Sequence, residues 1–199
     1  MKKIIDRVKD LVLKTRETWE NIAGEDASIP SLFKNYVLLT AAVPAVAAFL
    51  GKWLIGIRIP FAGFYRFSFG SSLLHSLVTY VLVVAGIWAL GMVISWLAPR
   101  FGAERDDVKG MKVAVFTYLP FLVAGVLQLI PSLSPLVFLA GLYCLYILYI
   151  GLPIVMGTPK EKSVAYILVT LVALVLIYIV VGAITGAILA GFGQDIPPL

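Results

Sequence analysis

The sequence predicts an all-α, polytopic membrane protein: five transmembrane helices, preceded by an N-terminal amphipathic helix lying at the membrane interface. Three observations predict it. The first is composition. Of 199 residues, 61% are hydrophobic and 14% charged, against ~45–50% and ~25% in soluble domains. A water-soluble fold of this length has too little interior to hide that much apolar surface. The second is grouping. Residues 35–51, 76–99, 113–158 and 163–194 contain no Asp, Glu, Lys, Arg or His. The third of these runs is long enough for two crossings at ~20 residues each. The third observation is that Lys and Arg gather in alternate connections, as the two sides of a membrane require. A barrel would need apolar and polar residues in alternation, and these runs do not alternate.

The expected organisation is a cytoplasmic amphipathic segment, residues 1–34, and a five-helix membrane domain, residues 35–199. Within the first, Ile4, Ile5, Val8, Leu11, Val12, Trp19 and Ile22 fall on one face, an arc of about 120° at 100° per residue. Charged residues occupy the other side. Two readings fit that stripe. Ile4, Val8, Leu11, Val12 and Trp19 form a membrane-surface face with Trp19 at headgroup level, or the helix docks on the protein's own cytoplasmic end. A turn at 24–31 leads into the membrane. No short apolar segment with a cleavage site precedes it, so the first span is expected to act as the insertion signal.

The spans are predicted at about 36–55, 73–97, 113–130, 135–156 and 164–190. The first carries Pro44, which frees a carbonyl and kinks the helix, among alanines that let a neighbour approach. Lys52 near its end is placed to snorkel to the interface. Residues 51–72 mix Trp53, Phe61, Phe64, Tyr65, Phe67 and Phe69 with Lys52, Arg58 and Arg66. That mixture fits an aromatic belt or a short re-entrant or surface-lying element. The loop from Arg100 to Lys112 is read as solvated. Span three carries Pro120, and a short turn joins it to span four as an antiparallel hairpin. In span five, Gly182, Gly186 and Ala190 recur every four residues and predict a small-residue face for helix packing, within the monomer or between copies.

Orientation follows from counting. The N-terminal segment and the second and fourth connections carry thirteen of the sixteen Lys and Arg, and the other side carries three. The positive-inside rule puts the N-terminus in the cytoplasm and the C-terminus outside. The net charge of +5 lies at span ends, where topology accounts for it, so no nucleic-acid partner is expected. Membrane lipids, other membrane proteins or a second copy are the expected partners.

The residues that carry chemistry are sparse. No acidic side chain falls in a span, where burial cost would mark an ion-coupled site. One histidine, His75, and one cysteine, Cys144, cannot supply a metal cage, and no nucleophile motif or phosphate-binding glycine loop is present. The reading is therefore a non-enzyme with no catalytic, metal or cofactor residues. Gln128, the one amide within a span, and Tyr143 and Tyr146, with Tyr149 on the same slowly rotating face and Tyr178 placed to oppose it, form a candidate polar path. A small transporter or channel for a neutral or lipid-like solute is the alternative function.

Two segments carry a resemblance. Thr15 to Glu20 reads TRETWE. The fourth-to-fifth connection reads Gly151-Leu152-Pro153, then Met156-Gly157-Thr158-Pro159-Lys160-Glu161-Lys162, then Tyr166. With the order of a short N-terminal segment followed by five spans, this resembles the Yip1 domain family, in particular its prokaryotic inner-membrane members. The resemblance marks Gly151, Pro153, Gly157, Pro159, Lys160, Lys162 and Tyr166 as the family-like motif. It implies membrane organisation or partner recruitment of the trafficking type. In eukaryotic members it implies an endomembrane location and binding to small Rab-type GTPases. This chain lacks the long acidic or proline-rich tail and the Asp-Leu-Tyr-Gly-Pro type motif of those members, and so fits a prokaryotic cytoplasmic membrane instead.

Overall fold

The computed structural model describes residues 2–59 and 63–192; the side chains of 2, 57–59, 63–65, 134 and 188–192 lie outside that description. Two short helices open the chain, α1 (Lys2–Leu13) and α2 (Thr15–Gly24). They are divided at Lys14, whose backbone (φ −132°, ψ 48°) leaves the helical region. The single helix expected from the periodicity is therefore broken. Thr15 Oγ1 donates to the Leu11 carbonyl at 2.8 Å and Thr18 Oγ1 to the Lys14 carbonyl at 2.9 Å. Hydroxyls that bond back to helix carbonyls favour a bend at such a point.

The membrane-surface reading of the stripe is corrected here. Leu11, Trp19 and Ile22 are fully buried and Ile4 nearly so, against the protein's own helices. Val8 is half-buried on the same core. The docked alternative describes these residues, because the spans beside them offer a complementary apolar surface. Of the five residues assigned to a membrane surface, Val12 stays exposed, alongside Ile5 and Leu13.

Five helices among the described residues are long and apolar enough to cross a membrane: α3 (Ile29–Ile55), α4 (Phe69–Phe101), α5 (Asp107–Leu129), α6 (Pro131–Met156) and α7 (Lys160–Phe192). The five spans expected from the sequence are these helices. α3 starts at a capping box, in which Ser28 accepts from the Ser31 amide and Ser31 reciprocates, satisfying two donors at the helix end. Its ladder loosens over Phe33–Val37 and Gly51–Ile55, both π-helical, and Pro44 interrupts it between them. The connection between α3 and α4 forms a small antiparallel hairpin, β1 (Ile57–Ile59) with β2 (Gly63–Tyr65). Residues 60–62, including Phe61, lie outside the described residues. Phe49, Trp53 and Phe69 cluster beside it, with ring centroids 5.2–5.6 Å apart, and Arg66 Nε donates to the Trp53 carbonyl at 2.6 Å.

Asp106 begins α5 by accepting from the amides of Val108 and Lys109, both at 2.9 Å. α5 is the central helix, buried along most of its length, whereas α7 is the least buried of the five spans. α4 crosses α5 at paired glycines: a Cβ on Gly110 would lie 2.6 Å from the Gly91 carbonyl oxygen. The helix packing expected at Gly182 and Gly186 is not found within the monomer. Among the described residues no heavy atom of a neighbouring element lies within 4 Å of a Cβ built at either position; α7 meets α4 through Ile177 and Val181 at Gly86 instead, and Gly182 borders a cavity. Ala190 lies in the helix, with surroundings outside the description.

Candidate functional site

The two sequence segments that carried the resemblance are joined in space. Trp19, from the first, lies across α6 at Gly151, from the second. Its Nε1 donates to the Ile147 carbonyl at 3.1 Å, and its ring meets Phe116 of α5 edge-on at 6.4 Å. A Cβ at Gly151 would overlap the indole, so glycine is required there for close approach rather than for backbone freedom. Three further contacts fix the N-terminal pair. Tyr143 Oη donates to the Val12 carbonyl at 2.8 Å. Arg7 pairs with Glu25 at 2.6 Å and lies over Phe116 at 5.6 Å. Burial opposes the Arg7 charge, but the Glu25 hydrogen bond and charge override it and hold its pKa above the ordinary arginine value.

The third contact is Lys112. It is buried, and its Nζ donates to the carbonyls of Ile22 at 3.0 Å, Ala23 at 3.5 Å and Glu25. These carbonyls belong to the last turn of α2 and its C-cap Glu25, where the helix dipole is negative. The loop assignment of Lys112 is thus corrected. Its one sequence signal was position: it abuts the uncharged run at Val113 and rides on the span rather than in the turn.

The rest of the motif closes the same end of the bundle. Pro153 sits inside α6, and Gly157 ends that helix in the left-handed region (φ 67°), which glycine enters at little cost. Pro159 packs at Gly102, where a Cβ would meet its Cγ at 3.4 Å. Lys160 and Lys162 are exposed. Tyr166 is fully buried; it stacks on Phe101 at 4.9 Å and donates to the Ile94 carbonyl. The motif therefore ties α7 to the end of α4.

The proposed polar path is not assembled. Gln128 borders two cavities at the opposite end of the bundle, of about 480 Å³ and about 200 Å³, together with Tyr118, Phe121 and Tyr178. Tyr143 and Tyr146 contact each other at 5.5 Å on the face that receives the N-terminal helices, and neither lines those cavities. Residues three apart drift around a helix, and here the drift carries the tyrosines away from the interior. Cys144 is buried and borders the larger cavity. Among the described residues, no three His, Cys, Asp or Glu come together as metal ligands.

A five-span helical membrane protein with an N-terminal helical pair latched onto one end of its bundle is the class these contacts define. The Yip1 domain model matches residues 9–182, and the chain belongs to the Yip1 domain family. It is 30% identical over 179 residues to the inner membrane protein YohC of Escherichia coli strain K12, covering 86% of this chain and 89% of that protein. The same figures hold for YohC of Escherichia coli O6:H1 strain CFT073. No solved structure matches significantly.

Proposed function

We propose that this chain is a non-catalytic organiser of the bacterial inner membrane that recruits a partner protein through the end of the bundle carrying α1 and α2. The supporting observation is the latch itself. Docking Trp19 and Lys112 turns the outer side of the N-terminal pair into a fixed surface, with Lys9, Asp10, Arg16, Glu17 and Glu20 exposed. Beside it lie the exposed Arg105 and Lys160 of the two basic connections. A rigid surface of mixed charge selects partners by electrostatic complementarity. The basic count supports a cytoplasmic side for this surface, and the inner-membrane name of the relatives supports the choice of membrane.

The test compares the wild type with a charge-reversed double variant, Arg16→Glu with Glu20→Lys, in which the buried face is untouched. Affinity purification in mild detergent with mass spectrometry is expected to recover a protein lost in the variant. Identical protein partners from both, or none from either, would refute recruitment through this surface.

A further inference from the structure

On the side of α6 away from Tyr143 and toward the end of the bundle that carries Gln128, α6 and α7 leave a gap. The larger cavity is the gap between them, a groove that opens sideways. Its walls are apolar and partly exposed: Phe138 and Leu142 from α6, Val175 from α7. Its floor is Tyr118 and Phe121 of α5. Since α6 and α7 are spans, the opening faces acyl chains. Its volume of about 480 Å³ lies within the ~300–1,000 Å³ range of small-molecule sites.

One end of the groove is polar. Lys52 borders it with Gln128, and His75 borders the adjoining smaller lobe. Lys52 is half-buried and forms no ion pair among the described residues. The acids within the described residues all lie in the N-terminal segment or the two connections at the latched end. His75 Nδ1 and Ser76 Oγ, in the smaller lobe, are buried without a hydrogen-bond partner. Buried polar atoms are ordinarily partnered, and a cation at a membrane span end attracts an anionic headgroup.

We infer that this groove is a binding site for one anionic phospholipid, its acyl chain between α6 and α7 and its phosphate on Lys52 and Gln128. An apolar slot that opens to the bilayer and ends in a cation without an ion-pair partner among the described residues has the polarity of a phospholipid. Entry is lateral, so no opening toward water is needed. Its polar end, at Lys52 and Gln128, lies at the other end of the bundle from Lys112, and the site stands or falls independently of the recruiting surface.

The test is native mass spectrometry of the full chain from mixed micelles holding phosphatidylglycerol and phosphatidylcholine in equal amounts with identical acyl chains. Wild type is expected to retain one phosphatidylglycerol, preferred by about tenfold or more, the scale of one charge-assisted bond. Lys52→Gln is expected to abolish the preference. Gly141→Leu fills the groove from the α6 wall, since its Cβ makes only ordinary contact with Phe121 at 3.5 Å, and is expected to abolish retention of both lipids. Leu142→Trp provides a second block should the first variant melt early. Equal retention of the two lipids by wild type, or retention unchanged in both groove-filling variants, would overturn the site. Loss of preference in Lys52→Gln with retention intact in the groove variants would reduce Lys52 to an ordinary interfacial contact and also overturn it. So would lipid retention that begins only after Asp195→Asn, which would make the C-terminal tail the counter-ion.

Discussion

Trp19→Ala should release the N-terminal pair while leaving the five spans folded. Trp19 is fully buried, and an aromatic of this kind buries ~150–250 Å², or ~4–6 kcal/mol at ~25 cal/mol per Å². Truncations of buried Phe or Trp to Ala cost ~3–5 kcal/mol. An undocked Trp regains part of this at the headgroups, which leaves about 3–4 kcal/mol, or a hundred- to thousandfold rise in the open population at ~1.4 kcal/mol per tenfold. The readout is thiol labelling of Thr15→Cys, a buried position, in a Cys144→Ala background with Ile5→Cys as the exposed reference. Where opening precedes labelling, the rate at residue 15 follows the open population. It should be far below that at residue 5 in the parent and approach it after Trp19→Ala, while the melting temperature of the bundle changes little. Gly151→Ala should release the pair in the same way, because its Cβ overlaps the indole. The two changes combined should cost much less than their sum, since removing the indole removes the overlap. Equal labelling at residues 5 and 15 in the parent, or additive effects of the pair, would refute the latch.

Lys112→Met keeps the side-chain length and removes the donor to the carbonyls of Ile22, Ala23 and Glu25 at the end of α2. Charge-assisted bonds are worth ~1.5–3 kcal/mol, so labelling at residue 15 should rise about tenfold or more, whereas the partly exposed Lys109→Met should leave it unchanged. Tyr166→Phe, which keeps the Phe101 stack and loses the bond to Ile94, should cost about 1 kcal/mol in detergent unfolding, and Tyr166→Ala about 3–5. Gly110→Ala, which drives a methyl into the Gly91 carbonyl, should lower bundle stability by ~1–3 kcal/mol or more. Gly91→Ala should cost less, because the Met111 thioether that it meets first can turn away. Gly182→Leu with Gly186→Leu should leave the melting temperature of the monomer unchanged, and a marked fall would show that a second copy or an unseen contact covers this face.

The sequence by itself determined the solvent. Uncharged runs of span length admit one arrangement of backbone hydrogen bonds in lipid, the helix, so the number and order of spans were legible before any contact was known. The sidedness of Lys and Arg and the glycine that ends α6 at Gly157 were legible for similarly local reasons. Amphipathicity told that residues 4–22 carry an apolar stripe, but not what covers it. A stripe that suits lipid suits a neighbouring helix equally, and only the fold put Gly151 and Phe116 under Trp19. Packing partners were misread where a repeated spacing was taken as the signal. Gly182 and Gly186 have the spacing and no neighbour, whereas the isolated Gly91, Gly110 and Gly151 make the close approaches, because approach depends on where two helices cross. Lys112 and Lys52 show the same limit for charge. Each lies beside an uncharged run, and tertiary structure alone gave one of them the carbonyls of α2 and left the other at the end of an apolar groove.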